Sequence, residues 1–302
     1  MGREFQKDMY VATKLSVIFQ ELDELCSSPQ IQRASFSEAL SMLEKGTTKL
    51  TIDSSINSQN IKKDSIGIVE HFTNSYATLI YEKVYKAANS ELKELLYTYY
   101  LKYQIHNIIA TLRCIAGGFQ DEVRLYLIGN TIQKEHCIKA VGFSYEEALK
   151  YFSTKFKFPK SLLEYNSIET ILQLETGLYK WYHEQLQDFL KEKYEGSVLQ
   201  IEHNKHIDVL NKKIQLLGKE FSEFESEKFT ISGGRKIKSS QNLKTEKSIE
   251  EIEELQQMFK KELYKKTKTQ EFGSHMMILN YLHRVELKLQ EISKLLKEKA
   301  LS

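Results

Sequence analysis

Proline is almost missing from this chain of 302 residues: Pro29 and Pro159 are the only two. Glycine is sparse at 13. Architectures built on many short strands and Gly/Pro-rich turns are therefore disfavoured, because tight turns draw heavily on these residues. Cysteine is scarcer than a disulfide framework requires, with Cys26, Cys114 and Cys137 the full set. An odd number cannot pair completely, so reduced thiols and a cytosolic setting are expected. Charge of one sign is also lacking, the formal net charge being +2. No global field calls for nucleic acid or an anionic lipid surface. The longest apolar run, Asn107 to Phe119, is broken by Arg113 and is too short to span a bilayer. The opening residues Met-Gly-Arg-Glu-Phe-Gln-Lys-Asp lack the apolar stretch of a signal peptide.

What is abundant is Leu, Lys and Glu, residues that lose little rotamer freedom in a helix. The expected fold class is all-α. The spacing supports it: Leu15, Ile18, Phe19, Leu22 and Leu25 make a first apolar face, ended by Ser27-Ser28-Pro29. Two long helices are expected between Val69 and Ala116, separated near Asn89, and Gly117-Gly118 supplies the stop. The second carries Leu101, Ile105, Ile108, Leu112 and Ile115 as a one-sided stripe. Further helices are read over Lys134–Ala140, Ile168–Lys191, Ile252–Lys265 and Met276–Lys299. Stripes Ile207, Leu210, Ile214, Leu217, Phe221 and Leu282, Val285, Leu289, Ile292, Leu296 complete the pattern.

A Ser followed three residues later by Glu occurs three times before such runs, at Ser35/Glu38, Ser144/Glu147 and Ser248/Glu251. Side chains at this spacing satisfy each other's backbone N–H groups in a capping box. The boxes lie 109 and then 104 residues apart. They suggest one helical unit used three times, with domains at 1–120, 121–222 and 223–302. Two Gly-containing links, Ile128-Gly-Asn and Ile231-Ser-Gly-Gly-Arg235, precede the second and third boxes.

No paired carboxylates, nucleophile–base pair or metal set stands out, so no catalytic, cofactor or metal residue is assigned. Gly233-Gly-Arg-Lys-Ile-Lys-Ser-Ser240 lacks the spacing and preceding strand of a phosphate loop and reads as a link. Lys228 to Lys247 holds six basic residues and one acid, Glu246, with only Phe229 as an aromatic, and reads as a solvated loop. An acidic patch on a partner is the second reading of that run. His203 and His206 stand one turn apart with Glu202 nearby, short of a zinc set, and read as a solvated face. Cys114 and Cys137 read as small buried residues. Trp181, Tyr97, Tyr99, Tyr100 and Tyr103 read as packing.

Several marks in order resemble one family. Tyr10-Val-Ala-Thr-Lys-Leu-Ser-Val with the Ser35 box is similar to its opening. Tyr103-Gln-Ile-His-Asn107 through Arg113 resembles its Asp-x-x-Asn-Ile-x-x-x-x-Arg helix, with Gln104 in place of Asp. Asp208-Val-Leu-Asn211 keeps both polar residues, but Leu217 replaces the Arg. Ile231-Ser-Gly-Gly resembles its hydrophobic-Pro-Gly-Gly link. Ile278-Leu-Asn-Tyr-Leu-His-Arg-Val-Glu286 resembles its last helix, although Leu289-Gln290-Glu291 departs from the closing triplet. The family is that of the C/AC39 subunits of the V/A-type ATPases, to which the d subunit of the vacuolar enzyme corresponds.

The resemblance implies three helical bundles in a pseudo-threefold funnel, a non-catalytic rotor part without cofactors. It implies partners in the central-stalk shaft subunits and the membrane proteolipid ring. It places the protein peripherally on the cytoplasmic face, with no nucleic acid and no insertion in the bilayer; partner-binding residues are unmarked. An unrelated all-α adaptor and a helical enzyme are the alternatives.

Overall fold

The computed structural model describes residues 3–45, 65–128, 132–220, 224–232 and 274–301, and every regular element among them is helical. In chain order these are α1 (Arg3–Ser27), α2 (Pro29–Arg33), α3 (Phe36–Lys45), α4 (Ser65–Ala87) and α5 (Ser90–Gly117). A 3-10 turn (Gln120–Glu122) leads to α6 (Val123–Tyr126), α7 (Ile132–Ala140) and α8 (Tyr145–Phe156). A second 3-10 turn (Lys160–Glu164) precedes α9 (Ile171–Lys193), α10 (Val198–Glu220) and α11 (Ser226–Phe229), and α12 (Ser274–Leu301) closes the series. The breaks have local causes. Asn89 Oδ1 accepts from Leu92 N at 2.8 Å and starts α5. Gly118, at φ +74°, ends it in the left-handed region where a side chain is penalised. Ser28 caps α2, which Pro29 opens at the position where a missing N–H costs nothing.

The helices gather into two compact units. Unit 1 takes its described residues from 1–96, 119–139 and 272–302, and unit 2 from 97–118 and 140–271. In unit 1 the last helix packs along the first, and also on α4 and α3. Its predicted stripe is fully buried: Leu282, Val285, Leu289, Ile292 and Leu296. Opposite it α1 buries Val11, Ala12, Leu15 and Leu22, while Ile18, Phe19 and Leu25 are half-buried. Burial of this kind stabilises by roughly 25 cal/mol per Å² of apolar surface. Polar contacts fix the register. Lys288 Nζ bridges Asp23 at 2.6 Å and Glu291 at 2.7 Å, and the Arg284 guanidinium lies 3.8 Å from the Phe19 ring centre. Lys299 Nζ donates to Gln32 O at 2.9 Å and Ala34 O at 2.7 Å, placing a cation on the carbonyls that end α2. Tyr81 Oη donates to Leu96 O at 3.0 Å and joins α4 to the start of α5.

Unit 2 is built on the pair α9 and α10, with α11 packed on both. Gly177 of α9 is buried, and a Cβ there would stand 2.5 Å from Leu162 Cδ2, so glycine lets the 3-10 turn sit close. Phe224, Phe229 and Ile214 form a small core with Tyr165, Leu172 and Leu217 against it. The expected one-sided stripe of α5 is wider than read. Leu101, Ile105, Ile108 and Leu112 are buried and Ile115 is half-buried, but Ile109, Gln104, Asn107 and Thr111 are buried too. Thr111 keeps its hydroxyl satisfied by donating to Asn107 O at 2.7 Å. The Ser248 box and the helix read over Ile252–Lys265 lie outside the described residues.

Candidate functional site

Two of the three capping boxes are described, and they are near-copies. Ser35 N donates to Glu38 Oε2 at 2.9 Å and Glu38 N donates to Ser35 Oγ at 3.4 Å. In the second, Ser144 N donates to Glu147 Oε2 at 3.0 Å and Glu147 N to Ser144 Oγ at 3.4 Å. Both Ser hydroxyls add a 2.8 Å bond to the carboxylate. Both carboxyls are held below their ordinary range, first by the Ser backbone N–H and then by the Ser hydroxyl. A further helix start, at Ser197 and Gln200, is not among the three boxes read from the sequence. Gln200 N donates to Ser197 Oγ at 3.2 Å, and Gln200 Oε1 accepts from Gly196 N at 2.7 Å. The S-x-x-Q spacing is the signal that marks it.

Two marks read separately in the sequence meet in unit 2. Asn211, on α10, donates through Nδ2 to Ile231 O at 3.0 Å, and its Oδ1 accepts from Ile231 N at 2.8 Å. The amide thus pairs with both backbone groups of Ile231 and anchors the residue that precedes the Gly-Gly link. Ile231 is buried, so its backbone groups need such a partner. A Cβ on Gly218, two turns on, would lie 2.7 Å from Ser226 Cβ, and the bare backbone lets the chain turn back here. Lys180 Nζ donates to Lys228 O at 2.9 Å and secures the end of α11. Of the basic run from Lys228 to Lys247, Lys228 is described and pairs with Glu225 at 2.9 Å. Gly233 to Ser240 and the rest of the run lie outside the described residues.

Arg113 of the matched helix reaches Glu175 on α9 at 2.6 Å. With 56% and 28% of the two side chains exposed, solvent screens the pair, so it orients more than it stabilises. Tyr145 and Tyr179 feel the same guanidinium, yet burial dominates and pushes both phenols up to about 12. Cys114 and Cys137 are buried as expected, and Cys26 is half-buried, its thiol pushed up to about 11 by desolvation. Trp181 packs edge-on to Phe158 at 6.3 Å, and Tyr99, Tyr100 and Tyr103 are buried. Tyr97 departs from the packing reading: 49% of it is exposed.

The solvated-face reading is corrected at His203, while His206 is half-buried. His203 is buried, one turn before Ile207 on the stripe that α10 turns towards α9. His183 of α9, which no sequence motif marks, lies against both rings. Among the described residues, no group of three or more His, Cys, Asp or Glu is arranged to hold a metal ion. Among the same residues, no helix is long and apolar enough to cross a membrane.

The architecture is therefore that of a multi-helix protein whose described marks are repeated helix caps and one backbone anchor. The family model described as ATP synthase (C/AC39) subunit matches residues 30–298, and the chain belongs to that family. It is accordingly one of the subunits of a V/A-type ATP synthase complex. No individual curated protein matches it.

Proposed function

We propose that the chain is the non-catalytic rotor element that couples the central shaft of the ATPase to the membrane proteolipid ring, on the cytoplasmic face. The observation that carries this reading is the family match over residues 30–298. Internal repetition supports it: Asn107 and Asn211, like Ser144 and Ser248, stand 104 residues apart. A torque coupler needs stiffness, which packed helices supply through their low compressibility. The division into 1–120, 121–222 and 223–302, arranged as three similar bundles, belongs to this proposal.

The test uses membranes carrying the assembled complex, in which ATP hydrolysed and ions moved are measured together. Stripping the chain should leave hydrolysis running while transport stops, and adding it back should restore the ratio. Transport that stays coupled to hydrolysis in its absence would refute the assignment.

A further inference from the structure

Unit 2 holds a cluster of three imidazoles. The His183 ring on α9 lies 5.5 Å from that of His203 and 5.5 Å from that of His206, both on α10. His203 Nε2 is 3.4 Å from the His183 carbonyl oxygen. His183 Nδ1 is buried and meets no hydrogen-bond partner among the described residues. The titratable groups that act on His183 are all bases, Lys102 of α5 and the two imidazoles of α10, so any charge they carry is positive. On α9 itself the neighbouring Glu184 pairs with Lys180 at 3.8 Å. The other elements packed on α9 meet it elsewhere: the 3-10 turn through Leu162 at Gly177, and α11 through Phe229 at Gly177 and Lys228 at Lys180.

We propose that this cluster makes the α9–α10 pair an acid-sensitive latch: neutral imidazoles allow the two helices to close, and proton uptake opens them. A proton on His183 creates a buried cation beside two further imidazoles and an ammonium, where desolvation and repulsion act together; on His203 desolvation opposes the proton and the His183 carbonyl offsets part of that cost. Burial, then His206, His203 and Lys102, holds His183 well below its usual range; burial brings His203 down to about 4.

An exposed imidazole takes its proton near pH 6.5. The open pair therefore binds protons that the closed pair refuses. The closed state keeps its full advantage above about pH 6.5 and loses it as the pH falls towards 4. For His203 alone the closed-to-open ratio should drop about 20-fold between pH 7 and pH 5. The device is internal to unit 2 and stands whether or not the rotor reading holds.

The experiment follows amide-exchange protection of the full chain from pH 7.5 to 5, corrected for intrinsic exchange, with the imidazole protons titrated in parallel. Protection over 171–220 should fall at least tenfold more than protection along α1 and α12. His183→Gln combined with His203→Gln should remove most of that excess. A fall as steep in the double variant overturns the proposal. So do buried rings that titrate near pH 6.5 while 171–220 stays protected, a result the native chain gives even if the variant fails to fold.

Discussion

Unit 1 and unit 2 start their helices alike and hold them together differently. Each has a Ser–Glu box with the same three contacts, within 0.1 Å of each other. In unit 1 the central seam joins distant parts of the sequence, α1 against α12; its fully buried residues are aliphatic, and its charged contacts, Lys288–Asp23 and Arg284 on Phe19, sit at partly exposed positions. In unit 2 the central pair is local, α9 followed by α10 after a short turn, but its seam admits two buried histidines. The anchor Asn211–Ile231 spans only 20 residues. A distant seam must be apolar enough to offset the entropy of closing a long loop. A local pair meets a smaller cost and can accommodate polar side chains without failing to form.

The sharpest test of that contrast is Leu296→Ala. Leu296 is fully buried on α12, and its truncation should cost about 3 kcal/mol through lost burial and the cavity left behind. Denaturation read by exchange in each unit should show the loss in unit 1; an equal loss confined to unit 2 would reverse the comparison. Next in size is Asn211→Ala, which strips both partners from the Ile231 backbone and should cost roughly 2 kcal/mol in unit 2. Unfolding midpoints should show Asn211→Asp only partly restoring it, because the carboxylate accepts from Ile231 N but cannot donate to Ile231 O. Smallest are the caps: Ser35→Ala and Ser144→Ala should each cost about 1 kcal/mol, and nearly the same amount. Their pH course follows from the lowered carboxyls of Glu38 and Glu147. A group whose folded pKa is depressed contributes above its unfolded pKa and stops contributing as pH falls through the folded value. The difference between each variant and the native chain should accordingly narrow below about pH 4.3, as measured by denaturant midpoints across the acid range.

Legibility in the sequence follows locality. The α12 stripe, the break at Asn89, the stop at Gly118 and both described boxes depend on residues within one or two turns, and all are readable. His183 is not, because its burial depends on which face of α9 meets α10. His203 carries a usable signal, four residues before Ile207 on the same stripe, but a polar residue there reads as surface. Asn211 and Ile231 each stand in a legible motif, though no spacing rule says that a side-chain amide will pair with the backbone 20 residues on. Lys157, left-handed at φ 57° after α8, gives no warning, since glycine is the residue expected there.

The neighbouring placement of α1 and α12 also sets a timetable. A ribosome emits α1 long before residues 274–301, and at roughly 5–20 residues per second that interval lasts on the order of 10–50 s. Throughout it Leu15 and Leu22 lack their eventual cover, while residues 140–220 already have what the α9–α10 hairpin needs. The nascent α1 segment is thus the natural client for a holding chaperone, and unit 1 cannot close until α12 has emerged.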